Sequence, residues 1–283
     1  MVAFPGCKIN LGLRILNKRT DGFHNLATVF YPLPLKEVLE IIRNNDTDNK
    51  EAIHFTLSGN IVDGNTENNL CVKAYHLLKK DFPQLPAVSM HLHKAIPMGA
   101  GLGGGSADAA FTLKLLNEKF QLSLSTDQLI SYSLQLGSDC PFFIIDQPCY
   151  ATGRGEMLEP VSLSLSHYQL LLINPGIHIN TGWAFSQLSI PEIDPDSVTG
   201  QKNLKEIISQ KPGTWRKELV NDFETPVFLK YPELSGIKEQ LYQQGAIYAA
   251  MSGSGSSLFG LFEKGFTPEL CLPDHYFKKL LLL

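Results

Sequence analysis

Between residues 97 and 108 the chain reads Pro-Met-Gly-Ala-Gly-Leu-Gly-Gly-Gly-Ser-Ala-Asp, with glycine at 99, 101, 103, 104 and 105. Such a stretch costs chain entropy, about 0.5–1 kcal/mol per glycine relative to alanine in regular structure. It is worth that cost where backbone must come close to a ligand. Residues 106–120 carry helical spacing, so the loop runs straight into a helix start, where free N–H groups and the positive dipole end collect. Phosphate is the natural occupant of such a place. Ser106 caps the helix in one reading and offers its hydroxyl to phosphate or metal in another. The plainer alternative is a tight turn with a serine cap.

The same loop satisfies a dinucleotide fingerprint, Gly99-x-Gly101-x-x-Gly104, with Glu118 near the acidic position. Its context argues against that reading. After the helix at 106–120 comes a second helix at 126–136, not a parallel strand ending in the ribose-binding acid. No lysine follows the glycines, so the Walker pattern fails as well. The loop reads as a third kind of phosphate cradle.

The flanking sequence predicts strands at 6–16 and 88–96 from alternation of apolar and polar residues, and further strands are expected at 23–31, 37–42 and 53–57. A helix is expected over 68–82, a hairpin from 142–145 and 149–152, and a junction near Gly153-Arg-Gly155 and 161–166. Beyond it, a strand at 168–173 and a short helix from Thr181 precede a loop at 191–200. Helices are expected at 214–229 and 233–244. Strands at 246–251 and 257–262 enclose a Ser-Gly-Ser-Gly-Ser loop, and the apolar end around 278–283 packs as a last strand or helix end. Strands and helices mix without regular βαβ alternation, which favours α+β. At 283 residues, two domains or one large one fit.

Formal net charge is −4 with no basic stripe, which argues against nucleic acid as a partner. No run approaches the roughly 18 apolar residues a membrane helix needs. The N-terminus lacks a signal layout, and the five cysteines form no CxxC pair, so reduced thiols in the cytoplasm are expected. His91 and His93 share a strand face, but no acid or thiol at matching spacing supports zinc. Cys7 and Cys140 read as packing residues.

Three segments in order resemble the GHMP kinase superfamily: Lys8-Ile-Asn10-Leu, the loop 97–107, and Met251-Ser-Gly253-Ser-Gly255-Ser256-Ser. Lys18-Arg-Thr-Asp21-Gly-Phe23-His24, Gly-Ser-Asp139-Cys-Pro-Phe-Phe and Asn174-Pro-Gly176 are similar to its diphosphocytidyl-methylerythritol kinase branch. The resemblance implies an α+β, two-domain GHMP kinase fold. A ribosomal-protein-S5-like ATP domain would span 1–157 and a ferredoxin-like substrate domain 158–283. It implies ATP-dependent phosphorylation of an alcohol, with Asp139 as the base and Lys8 beside it. Charge neutralisation and an oriented nucleophile are what phosphoryl transfer needs most. ATP would lie on Pro97, Met98, Gly99, Ala100, Gly101, Leu102, Gly103, Gly104, Gly105, Ser106 and Ala107, with Mg²⁺. The metal ligands are open, Ser106 being the one candidate donor.

The cytidine end would meet Asn10, Phe23, His24, Phe30, Thr181 and Phe185. Phe23 stands where the family commonly has tyrosine, so a hydroxyl contact is lost. Phe30 reads more readily as core, and Thr181 contacts substrate or caps its helix. The expected partner is a small cytidine diphosphate derivative, bound by a monomer or weak homodimer. Homoserine, mevalonate or galactose as substrate, or a silent ATP-binding relative, are the alternatives.

Overall fold

Alternation along residues 88–94 shows how the sequence builds its sheets. Val88, Met90, Leu92 and Lys94 are buried, while Ser89, His91 and His93 turn outward. Period-two burial of this kind is what a strand with one covered face produces. The computed structural model describes residues 1–44, 52–60, 65–188 and 202–283; the loop expected at 191–200 lies outside them.

In chain order the strands are β1 (Val2–Ala3), β2 (Cys7–Lys18), β3 (His24–Leu33), β4 (Val38–Arg43), β5 (Ile53–Gly59), β6 (Val88–Lys94), β7 (Cys149–Thr152), β8 (Met157–Pro160), β9 (Tyr168–Asn174), β10 (Tyr248–Met251), β11 (Leu258–Glu263) and β12 (Phe277–Leu282). The helices are α1 (Leu70–Asp81), α2 (Gly104–Phe120), α3 (Thr126–Leu134), α4 (Cys140–Ile145), α5 (Thr181–Ser186), α6 (Leu204–Ile208), α7 (Glu224–Lys230) and α8 (Pro232–Gln243). The chain forms two compact units, and each draws on several separate segments.

The first unit comprises 1–7, 35–98 and 103–146. Its sheet has the order β1-β4-β6-β5, antiparallel except for the parallel β5–β6 pair. α1 and α2 pack on each other, and α2 lies on β1 and β4. The buried side chains Leu39, Ile41, Tyr75, Leu78, Met90, Leu92, Leu113 and Leu116 belong to these elements. Asn69 caps α1 through the Cys71 amide, and a Ser125–Gln128 capping box opens α3.

The second unit comprises 8–34, 99–102 and 147–283. One sheet has the order β2-β3-β7-β8, with β3–β7 and β7–β8 antiparallel, and the other the order β10-β11-β9-β12, antiparallel throughout. α8 covers β10 and β11, and the core gathers Leu13, Ile173, Ile179, Phe223, Leu241, Met251 and Phe262.

Several elements differ from the sequence expectation. Residues 142–145 are helical, not a strand. Pro141 near the first position of α4 supplies the fixed φ of a helix start, and β7 pairs with β8 instead, with Gly153 and Gly155 in the turn between them. The stretch 214–229 is not one helix. A 3₁₀ turn over Pro212–Lys217 is followed by α7, with Leu13 bridged to Asn221 between them. The apolar end forms β12.

Candidate active site

In the glycine loop every second residue turns left-handed: φ is +60° at Gly99, +76° at Gly101 and +72° at Gly103. Gly101 has no room for a side chain, since a Cβ would lie 2.0 Å from the Ser252 carbonyl oxygen. Gly103 is the N-cap of α2 and gives it no side-chain cap. Ser106 is therefore not the cap, because the helix begins two residues earlier at Gly104. The first-turn amides of a helix have no partner within it, and here no cap side chain takes them. Gly105 is exposed, Ala100, Leu102 and Ala107 are buried, and Pro97 is half-buried.

Beneath this helix start lies a buried charge cluster in the first unit. Lys94 Nζ donates to Glu37 Oε2 at 2.5 Å and to Asp108 Oδ2 at 2.7 Å, and all three side chains are at most 3% exposed. Glu37 Oε1 also accepts the Ala95 and Ile96 amides. Asp108 Oδ1 is buried with no hydrogen-bond partner among the described residues. Burial, then a hydrogen bond with Glu37, pushes the Asp108 carboxyl well above the usual range, against the pull of Lys94. Burial lowers the Lys94 ammonium, but Asp108 and Glu37 outweigh it, and the net shift is upward. Lys94, Asp108 and Gly105 line a cavity of about 260 Å³ together with Met98, Asn65 and Leu70.

Asp139 stands at the N-cap position of α4, half-buried, without spending its side chain on the cap. The neighbouring Cys140 thiol is pushed up to about 12, chiefly by burial, with a hydrogen bond to Ser106 opposing the shift. A thiol so held is not a nucleophile.

In the second unit Lys8, 3% exposed, donates to Asn10 Oδ1 at 2.7 Å and to the Gly101 carbonyl at 3.3 Å. Its ammonium also lies 4.8 Å from the centre of the buried Phe30 ring. Asn10 donates to Thr28, which donates to the Gly12 carbonyl at 2.5 Å. His24 and Phe185 stack at 4.7 Å with 9° between their planes, and Phe185 meets Phe223 edge-on. Burial, then Lys18, lowers the His24 pKa, which favours the neutral ring. Phe23 is 54% exposed under the Arg154 guanidinium. Thr181 does not cap α5. Asn180 does, and the Thr181 hydroxyl lies 3.0 Å from Ser254 in the late glycine loop.

The structure thus joins Lys8, Asn10 and Gly101 within one unit, and His24 with Phe185. Sequence reasoning missed Glu37, Lys94 and Asp108. The one legible signal was a lysine at an inward position of β6. His91 and His93 bond Thr56 and Ser58, and no group of three metal-ligating side chains occurs among the described residues.

Residues 69–149 match the GHMP kinases N terminal domain and residues 203–270 the GHMP kinases C terminal model. A 4-diphosphocytidyl-2-C-methyl-D-erythritol kinase from Bacteroides fragilis is 54% identical, covering 93% of this chain and 92% of its own. The protein of that name from Bacteroides thetaiotaomicron is 50% identical over 97% and 95%. A crystal structure of 4-(cytidine 5'-diphospho)-2C-methyl-D-erythritol kinase superposes with a TM-score of 0.75 at 29% identity, covering 92% of this chain and 90% of the other.

Proposed function

The chain belongs to the 4-diphosphocytidyl-2-C-methyl-D-erythritol kinase family within the GHMP kinases, and from that membership we propose that it phosphorylates the 2-hydroxyl of 4-diphosphocytidyl-2-C-methyl-D-erythritol with ATP. The products are the 2-phosphate and ADP, in the non-mevalonate route to isopentenyl diphosphate. The bond between the γ-phosphorus and the β,γ-bridging oxygen breaks, and one to the substrate oxygen forms. The substrate's hydroxyl proton passes to Asp139. Lys8 offsets the charge that develops on the transferring phosphoryl oxygens.

The observation that carries this reading is the fixing of Lys8 Nζ on Asn10 and on the carbonyl of Gly101, inside the phosphate loop itself. An ammonium held so is placed before substrate arrives, and preorganised charge costs nothing to reorganise during reaction. The uncapped start of α2 supports triphosphate binding through its amides. The cavity beside Lys94 and Met98 suits the nucleotide's base. Mg²⁺ bound with ATP would neutralise phosphate charge; it would be carried mainly by the phosphates, and the Ser106 hydroxyl is the protein donor that could reach it. The His24–Phe185 stack supports cytosine recognition by offering an outer aromatic face.

A division at 157/158 leaves one family-model match on either side. Cys71, Cys140 and Cys149 are buried free thiols, which supports a reducing cytoplasmic setting. No described helix is long and apolar enough to cross a membrane. The small-molecule reading needs no more than a monomer or weak homodimer.

The test is ADP release coupled to a spectrophotometric readout, with the cytidine substrate, homoserine and mevalonate compared side by side. Turnover on the cytidine substrate, inhibited by CMP, is expected. Asp139→Asn lowers kcat about 10²–10⁴-fold, the usual contribution of a positioned base. An Asp139→Asn protein with full activity sinks the assigned role.

A further inference from the structure

The corner between the 3₁₀ turn and α7 grips two parts of the second unit at once. On one side residues 220–222 run beside β2. The Leu13 amide donates to the Val220 carbonyl and the Asp222 amide to the Leu13 carbonyl, each at 2.9 Å. Asp222 Oδ2 accepts the Ile15 amide at 2.7 Å. On the other side Asn221, 1% exposed, reaches the late glycine loop. Its Nδ2 donates to the carbonyls of Met251 and Gly253, both at 2.8 Å, and its Oδ1 accepts the Phe223 amide. Glu224 completes the grip by accepting the Met251 amide at 2.8 Å while Lys238 holds its other oxygen at 2.6 Å.

The two carbonyls that Asn221 holds flank Ser252, which is fully buried. Ser252 Oγ donates to the Gly101 carbonyl at 2.8 Å and accepts the Asn10 amide. Asn10 Oδ1 in turn accepts Lys8 Nζ. The Ser257 amide adds a second tie, to the Ala100 carbonyl. The path from Asn221 to the ammonium therefore runs through hydrogen bonds that are buried or part-buried, joined by the backbone of residues 251–253. It has little slack, because Gly101 lies so near the Ser252 carbonyl that a Cβ would be 2.0 Å from its oxygen.

We propose that Asn221 is a positioning residue for phosphoryl transfer: its carboxamide fixes residues 251–253, so that Ser252 sets the Gly101 carbonyl and Asn10, and through them the Lys8 ammonium. The proposal rests on the reading of Lys8 given above. Asn221 lies outside the three glycine and lysine segments that mark the family resemblance. Its carboxamide meets the need of the corner because it is a double donor and an acceptor at once. Alanine leaves the Met251 and Gly253 carbonyls without this donor. Aspartate keeps the acceptor for the Phe223 amide but turns an oxygen toward those same carbonyls.

The test compares Asn221→Ala, Asn221→Asp, Ser252→Ala, the Asn221→Ala/Ser252→Ala double variant and Lys8→Ala in the full chain. Rates are taken at 15 °C, per mole of protein folded by near-UV circular dichroism. Misplacement of about 1 Å far from the chemistry costs on the order of 10²-fold, so kcat of Asn221→Ala is expected to fall about 10–100-fold. KM for both substrates stays within about threefold. Asn221→Asp does not recover, and the double variant is no slower than the slower single. A purely structural residue would lower the thermal midpoint and leave kcat per folded molecule alone. Full kcat in Asn221→Ala, recovery in Asn221→Asp, or multiplied losses in the double variant each overturn the proposal. Should Asn221→Ala not fold, Ser252→Ala decides alone, a tenfold loss of kcat supporting the path and an unchanged kcat overturning it. Lys8→Ala at wild-type kcat removes the reading of Lys8 and the inference with it. An inactive Lys8→Ala beside a fully active Asn221→Ala removes the inference alone.

Discussion

Replacing Lys94 by methionine tests the buried cluster under the α2 start. The side chain has nearly the same length, so packing is retained while the charge goes. Lys94 bonds both Glu37 and Asp108, at 2.5 and 2.7 Å, and none of the three is more than 3% exposed. Without it Asp108 loses the partner of Oδ2 while Oδ1 already has none. Glu37 keeps the amides on Oε1 and its hydrogen bond with Asp108. Breaking a buried pair from one side costs about 3–5 kcal/mol, a large share of the roughly 5–15 kcal/mol that holds a domain together. The loss has a pH signature. The Asp108 carboxyl is raised in the folded state, chiefly by burial, and Lys94 is a force holding it down. A folded pKa above the unfolded one gives stability that is present at low pH and lost as pH rises through the folded value. Lys94→Met raises that value further, so its penalty is larger at pH 8 than at pH 5, by up to about 1.4 kcal/mol per pH unit for each extra proton bound. Hydrogen exchange of the Leu113 and Leu116 amides in α2, with urea unfolding of the full chain, reads the effect. Replacing Asp108 by leucine in the same protein is expected to return part of the loss. Wild-type exchange in Lys94→Met at pH 8, a penalty that grows on acidification, or no gain from Asp108→Leu would each refute the reasoning.

Two further outcomes follow from the loop and the aromatic stack. Gly101→Ala puts a Cβ 2.0 Å from the Ser252 carbonyl at a φ of +76°; the left-handed backbone alone costs about 1–2 kcal/mol. Thermal midpoint and kcat are both expected to fall. Gly105→Ala, whose Cβ would meet nothing nearer than a Leu70 methyl at 4.0 Å, keeps its midpoint and loses only ATP affinity, as nucleotide titration would show. Phe185→Ala removes the partner of His24 and the face offered to cytosine. At about 1–3 kcal/mol per stacked base, KM for the cytidine substrate rises about tenfold or more with KM for ATP unchanged; equal KM values in steady-state assays count against the assignment.

Which parts were legible follows from what a one-dimensional pattern can encode. The glycine loop was readable because five glycines in seven positions have few other uses, and the left-handed φ values at 99, 101 and 103 are the conformations only glycine enters cheaply. β6 was readable because its burial alternates. Residues 142–145, Phe-Phe-Ile-Ile, have no period at all, and a short apolar run cannot separate strand from helix. There Pro141, near the first helical position, is the deciding mark. The buried cluster was hidden for a different reason. Glu37, Lys94 and Asp108 come from three elements, and charge compensation is a through-space condition with no spacing of its own. Yet Lys94 occupied the inward phase after Val88, Met90 and Leu92. A lysine in that phase demands buried acids, since an unpaired ammonium inside a core costs several kcal/mol. Asn221 was concealed by the reading of 214–229 as one helix, which made it an ordinary polar face residue. Once that helix is broken at Asn221, the carboxamide has to be accounted for, and its partners lie in the late glycine loop. For Lys94 it is the phase within its strand, and for Asn221 its place between elements, that marks a polar group holding the site in place.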